Sequence, residues 1–150
     1  MRVGELVVIG SRSFTDSRSL FAYCDKVGSS FSKVWSGGAR GADRLGESWA
    51  RSRSKKFRLF PADWGRFRKS AGFRRSAEMI GACSSEALVV CFVDKCLSSC
   101  PGSLFTVSLA RDKGLSVLVV GPGGEVDQTF QDRDLFSKES DLVSLCGVTL

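Results

Sequence analysis

The sequence predicts an α/β domain of three layers, with helices on both faces of a mainly parallel sheet. Three observations predict it. Short apolar runs alternate with longer amphipathic ones along the whole chain. The short runs are nearly all apolar, as strands buried on both faces are. Most of them stop at glycine or proline, which mark the turn from a strand into a helix.

The elements follow in order. Residues 5–10, Glu-Leu-Val-Val-Ile-Gly, read as a buried strand closed by Gly10. Residues 16–27 read as a helix, with Leu20, Tyr23, Cys24 and Val27 at helical spacing. A short strand at 33–36 runs into glycines, and a helix over Ala42–Ser52 follows, carried by Leu45, Trp49 and Ala50. Residues 57–60 form a third strand ended by Pro61, and 72–82 a helix with Met79, Ile80 and Ala82 as its apolar positions. The continuous apolar run at 87–93 is the central strand. A helix at 103–113 stops at Gly114, and the last strand is Ser116–Val120. Right-handed crossovers put every strand's C-terminal end on one sheet edge, where ligands of such Rossmann-like domains sit.

Bulk properties fit this reading. With 150 residues and 16.3 kDa the chain is one domain of ordinary size, able to bury a core without metal or disulfide staples. A hydrophobic share of 43% and a charged share of 25% are those of a soluble globular protein. No apolar run reaches the roughly 18 residues of a membrane span, and the N-terminus does not read as a signal peptide. No membrane partner and a cytoplasmic location are the expectation. The α/β domain is expected over 1–122, with 123–150 a polar, acidic extension whose Leu142, Val143, Leu145 and Val148 can pack back on it.

Six cysteines stand at 24, 83, 91, 96, 100 and 146. Without a histidine and without a second tight cysteine pair they do not make a zinc site, so no metal and no cofactor are expected. Free cysteine in apolar stretches behaves as a small hydrophobe. The net charge of +6 is uneven. Residues 51–75 carry ten Lys/Arg against Asp63 alone, while 125–150 carry six acids against two bases. A basic central segment facing an anion and a solvated helix face are both open readings of that run.

Three turns fall on the ligand edge. Gly10-Ser11-Arg12-Ser13-Phe14 ends the first strand and offers backbone N–H, hydroxyl and guanidinium donors. Ser36-Gly37-Gly38-Ala39-Arg40-Gly41-Ala42-Asp43 joins the second strand to its helix. Small residues let it turn tightly, and the helix N-terminus favours a phosphate. Asp43 can cap that helix or bind a ribose hydroxyl. Pro101-Gly102-Ser103 opens the helix after the central strand and makes a second anion site of the same design. The 36–43 stretch is neither a Walker loop nor a strict GxGxxG fingerprint, so the coincidence of three turns carries more than any one.

These turns also carry a resemblance. With Pro61-Ala62-Asp63-Trp64, Ala71-Gly72, Arg75, Met79, the 87–94 strand and Gly114-Leu115-Ser116-Val117, they resemble the YspA-like branch of the SLOG superfamily. The likeness runs in order over roughly residues 5 to 120. It implies a Rossmann-like fold and binding of nucleotides or their derivatives. Relatives include cytokinin-activating phosphoribohydrolases, the DNA-processing protein DprA, and sensors of cyclic ADP-ribose isomers in antiphage defence. Two departures are Ser76, where the family usually has Asn, and Ser103, where it usually has Thr; the second keeps the hydroxyl and is mild. A third is not. The phosphoribohydrolase motif Pro-Gly-Gly-x-Gly-Thr-x-x-Glu, laid on Pro101, puts Phe105 on its third Gly and Leu109 on its Glu. That acid is missing.

The expected ligand-binding residues are therefore Gly10, Ser11, Arg12, Ser36, Gly37, Gly38, Ala39, Arg40, Asp43, Trp64, Arg75, Asp94, Pro101, Gly102 and Ser103. Arg75 offers a bidentate phosphate clamp. Trp64 is placed to stack on a base, whereas Trp35 and Trp49 belong to the core. Substitute acids for chemistry are Asp43, Glu47 and Asp94, with no catalytic residue assigned. Glu47, one turn after Asp43, is more cheaply explained as a helix-surface acid beside Arg40 and Arg44. The expected function is capture of a nucleotide-derived small molecule without turnover, as a sensor or a phage or mobile-element sequestering protein. The alternatives are an N-glycosidic hydrolase of nucleoside phosphates or ADP-ribose, and single-stranded nucleic-acid binding. A homo-oligomer is the expected assembly.

Overall fold

A computed structural model of the chain describes residues 2–121; the expected extension at 123–150 lies outside the described residues. Five strands, β1 (Arg2–Gly10), β2 (Phe31–Ser36), β3 (Lys56–Leu59), β4 (Leu88–Phe92) and β5 (Ser116–Val120), form one sheet in the order β3-β2-β1-β4-β5. Every neighbouring pair is parallel. The helices are α1 (Ser17–Gly28), α2 (Ala42–Ser52), the one-turn α3 (Trp64–Phe67), α4 (Ala71–Ala82) and α5 (Pro101–Asp112).

Alternation along the central strands sorts the core into two layers, because successive side chains leave a strand on opposite faces. From β1, Leu6 and Val8 join Leu20, Trp49 and Ala50 of α1 and α2, and from β4 Val90 and Phe92 join the same layer. Val7 and Ile9, with Val89 and Cys91, turn the other way onto Met79 and Ile80 of α4 and Leu104 and Val107 of α5. Burying each such aliphatic side chain is worth about 1.5–3 kcal/mol. The fully buried Trp49 keeps its indole N–H satisfied, donating to Asp25 at 2.9 Å.

The strand order reverses direction between β1 and β4. The helix after β1 lies on the α1–α2 face, and the one after β4 lies on the α4–α5 face. The turns leaving these two neighbouring strands therefore part, and a crevice opens beyond their C-terminal ends. Below it the ends are tied: the Ser11 N–H donates to the Phe92 carbonyl at 2.9 Å.

The differences from the sequence expectation lie at element ends. The third strand runs one residue earlier than 57–60. The two later helices begin at Ala71 and Pro101 rather than 72 and 103. Proline at the first helical position explains the earlier start, since its missing N–H has no helical partner there anyway. Three elements were not foreseen, one of them a 3₁₀ turn at Leu97–Ser99 ahead of α5. The α3 turn is capped by Asp63, which accepts from the Arg66 N–H at 3.0 Å, and a 3₁₀ turn at Arg68–Ser70 links it to α4. Cys24, Cys83 and Cys91 are buried, Cys96 is exposed, and all the described cysteines are free. Among the described residues no helix is long and apolar enough to cross a membrane, and no cluster of His, Cys, Asp or Glu is arranged to hold a metal ion.

Candidate ligand-binding cleft

The crevice is a cleft of about 410 Å³, within the usual size of small-molecule sites. Its floor is the end of β1 and the following turn, from Ile9 to Ser13. One wall is the N-terminal turn of α5 with Thr106, and Ala39 and Asp43 also line the cleft. One face of α4 closes it with Gly72, Ser76 and Met79, and Trp64 and Lys69 stand at the rim.

The turn after β4 is open toward this space. Cys100 precedes α5 without a side-chain cap, so the N–H groups of Gly102 and Ser103 have no intrahelical acceptor. They carry the positive end of a twelve-residue helix into the cleft. A Cβ built on Gly102 would meet nothing within 4 Å, so the fold itself does not require glycine there. Thr106 donates back to the Gly102 carbonyl at 3.0 Å and lies 2.9 Å from the Ser76 hydroxyl, which ties α5 to α4.

Three cations line the same space: Arg12, Lys69 and Arg75. Arg75 is half-buried and its Nη1 donates to the Gly37 carbonyl. Burial pulls its pKa down and Asp43 opposes that pull, and a guanidinium remains charged throughout. Arg12 stacks over the exposed ring of Trp64, 5.6 Å from its centroid. Phe73 and Met79 supply apolar surface nearby.

The turn after β2 departs from expectation. Its backbone donors are already used inside the protein, by Asp43. Gly38 takes a positive φ of 73°, which aims the N–H groups of Gly37 and Ala39 at one point. Asp43 Oδ2 sits there, 3.2 Å from the Gly37 nitrogen and 3.4 Å from that of Ala39. The Gly10 N–H points to the same carboxylate. Ser36, fully buried, donates to the Asp43 carbonyl at 3.1 Å. Asp43 therefore does not cap α2; Gly41 holds that position with a φ of 79°. A side chain on Gly41 would strike the Ser11 carbonyl, with Cβ 2.2 Å away. The 36–43 turn is a clamp on a buried carboxylate rather than an empty phosphate cradle. Burial pushes the Asp43 carboxyl up to about 6, against the pull of Arg75 and the three N–H groups.

Of the expected binding residues, the cleft brings together Gly10, Ser11, Arg12, Ala39, Asp43, Trp64, Arg75, Pro101, Gly102 and Ser103. Ser36, Gly37, Gly38, Arg40 and Asp94 do not line it. Arg40 is exposed. Asp94 instead holds the β1 turn in place, accepting from the Ser13 hydroxyl, which keeps its carboxyl below the usual range, while its own N–H reaches Ser11 Oγ at 3.4 Å. The pairing of Asp43 with Glu47 does not form either. Glu47 turns out to Arg51 at 2.8 Å, one helical turn on, and Asp43 turns in. Leu109, at the position of the missing acid, packs against the core layer beneath α5.

The basic 51–75 segment divides. Arg51 and Arg53 pair with Glu47 and Asp25, Lys55 reaches the Ser29 carbonyl, and only Lys69 and Arg75 face the cleft. Residues that sequence reasoning did not place at the site include Lys69, Phe73, Ser76, Cys100 and Thr106. Ser103 with Thr106, and Gly72, Ser76 and Met79, recur at helical spacing; that periodicity was the available signal.

No curated protein and no solved structure matches the chain. The YspA, cpYpsA-related SLOG family matches residues 5–67, which spans β1 to α3 and includes the first two of the three turns. Over those residues the chain is similar to the YspA, cpYpsA-related SLOG family, in line with the resemblance the three turns carry.

Proposed function

We propose that the cleft binds a nucleotide-derived small molecule of the ADP-ribose or cyclic-nucleotide type and holds it without turnover, as a sensor or a sequestering protein. The observation that carries this reading is the meeting, in one cleft, of the open α5 N-terminus with Arg12, Lys69 and Arg75 beside an exposed tryptophan. The helix N-terminus and the three cations suit phosphate; the ring of Trp64 suits a base. The similarity of residues 5–67 to a SLOG family favours the same ligand class. Holding is favoured over cleavage because Glu47 and Asp94 stand off the cleft and Leu109 is core. Asp43 is the one acid among the described residues lining it, and its carboxylate is engaged by backbone N–H groups.

The test is to incubate the protein with candidate nucleotides, denature it by heat and separate the released molecules by chromatography. Intact ligand is expected. Release of a free base would replace this reading with a second one, N-glycosidic hydrolysis. One observation favours that second reading: a carboxyl near 6 lies in the range useful to a general acid at neutral pH. It requires that turnover vanish in Asp43→Asn.

A further inference from the structure

Asp43 is a peculiar neighbour for a phosphate. It is 4% exposed, yet it lines the cleft together with Arg75, the most buried of the three cations there. Its partners come from every element packed on it. The loop supplies the N–H groups of Gly37 and Ala39, and β1 supplies that of Gly10. From α4 comes the guanidinium of Arg75, itself anchored on the Gly37 carbonyl and facing Arg12 beyond. From β4 comes the Cys91 thiol, fully buried and pushed up by that burial, so it stays neutral. On its own helix, Arg44 is exposed and Glu47 is paired with Arg51.

The positive pole of the cleft thus already holds one anion, built into the chain. An incoming phosphate draws on the same guanidinium and adds a second negative charge in a partly desolvated space. Like charges that share such a site do not both stay ionised, and the weaker acid takes up a proton. A phosphodiester or pyrophosphate oxygen is a far stronger acid than a buried carboxyl, so the proton goes to Asp43.

We propose that Asp43 is an internal anion that competes with the ligand's phosphate for the positive pole of the cleft, so that ligand binding is coupled to uptake of one proton by Asp43. This rests on the reading of the cleft as a nucleotide site. The sign follows from linkage. A ligand that raises the proton affinity of Asp43 binds tightest where Asp43 is already protonated and weakest where it must stay ionised. Affinity therefore falls as the pH rises through about 6, the value Asp43 holds in the free protein. A coupling of one pH unit corresponds to about a tenfold change in affinity.

ADP-ribose is the suitable probe, because its two phosphates form a pyrophosphate that does not titrate near neutrality. Calorimetric titration with ADP-ribose from about pH 5 to about pH 8, in two buffers of different ionisation enthalpy, reads both affinity and protons exchanged. Wild type is expected to bind about tenfold tighter at the acid end and to take up on average about half a proton per ligand between about pH 6 and 7. Asp43→Asn, whose amide oxygen can still accept from Gly37 and Ala39, is expected to bind at all these pH values as wild type does in acid. Affinity in wild type that does not change with pH, with no proton taken up, overturns the coupling and leaves the nucleotide site standing. PH dependence that persists in Asp43→Asn assigns the proton elsewhere and overturns it too. Absence of ADP-ribose binding in both proteins at every pH overturns the coupling together with the site. The proton count in wild type needs no variant, so a misfolded Asp43→Asn does not block the test.

Discussion

The starts of α2 and α5 read alike in sequence, since small residues open both helices, Gly41-Ala42 after β2 and Gly102-Ser103 after β4. They behave as opposites. After β2, the N–H groups of Gly37 and Ala39 converge on the Asp43 carboxylate, and Gly41 is packed so tightly on the Ser11 carbonyl that no side chain fits. After β4, the first-turn N–H groups of α5 find no helical acceptor, and Gly102 faces open space. The first turn spends its donors on folding; the second leaves them for a ligand. A glycine stands at the start of both helices, Gly41 before α2 and Gly102 in the first turn of α5. Only the whereabouts of an internal acceptor separates a structural turn from a binding one.

That contrast can be broken glycine by glycine. Gly41→Ala is expected to have the largest effect, a loss of about 3 kcal/mol from a positive φ and a backbone clash together, measurable by urea denaturation without any ligand. Gly102→Val is its counterpart. Its stability should stay within about 0.5 kcal/mol of wild type, while affinity for ADP-ribose drops by at least about tenfold as the side chain fills the approach to the helix N-terminus. Equal stability losses in the two variants would erase the distinction between the turns.

The clamp on Asp43 carries its own pH signature. Its folded value of about 6 stands above the unfolded carboxylate value, so the unfolded chain gives up the proton first. The stability from this group is present in full below about pH 4 and is lost as the pH rises through about 6. The size is on the order of 1–3 kcal/mol. Urea midpoints should decline over that window in wild type, and the part of the decline owed to Asp43 should be absent in Asp43→Asn. At the rim, Trp64→Ala should weaken ADP-ribose binding by about 1–2 kcal/mol. Quenching of tryptophan fluorescence by ligand should vanish with it, because Trp35 and Trp49 are buried. The smallest effect is reserved for Glu47→Gln, which should leave ligand binding unchanged and cost about 0.3–0.5 kcal/mol by removing the pair with Arg51.

Much of this architecture was legible before any coordinates. The apolar runs of β1 and β4 and the amphipathic α1, α2 and α4 announce a parallel sheet covered on both faces, since burial imposes a period that a sequence displays directly. Trp64 was separable from Trp35 and Trp49 because it follows a strand end and Pro61. What the sequence concealed is direction. Asp43 and Glu47 share a spacing, yet one turns in to the Gly37–Ala39 donors and the other out to Arg51. Asp94 ends the central strand as functional carboxylates often do, yet spends itself on Ser13. Lys69 looked like one of ten equivalent bases until the 3₁₀ turn at Arg68–Ser70 set it at the rim. Which partner a polar side chain finds depends on contacts dozens of residues away, and no local pattern encodes them.

The central claim is that the open turn after β4, not the glycine-rich turn after β2, receives the ligand's anion. Amide chemical shifts of the ¹⁵N-labelled protein, followed while ADP-ribose is added at about pH 5, where Asp43 is already protonated and gains no proton from the ligand, test it residue by residue. The account predicts the largest shifts at the amides of Gly102 and Ser103, with Gly37 and Ala39 nearly still. Large shifts at Gly37 and Ala39 with Gly102 and Ser103 unmoved would contradict it.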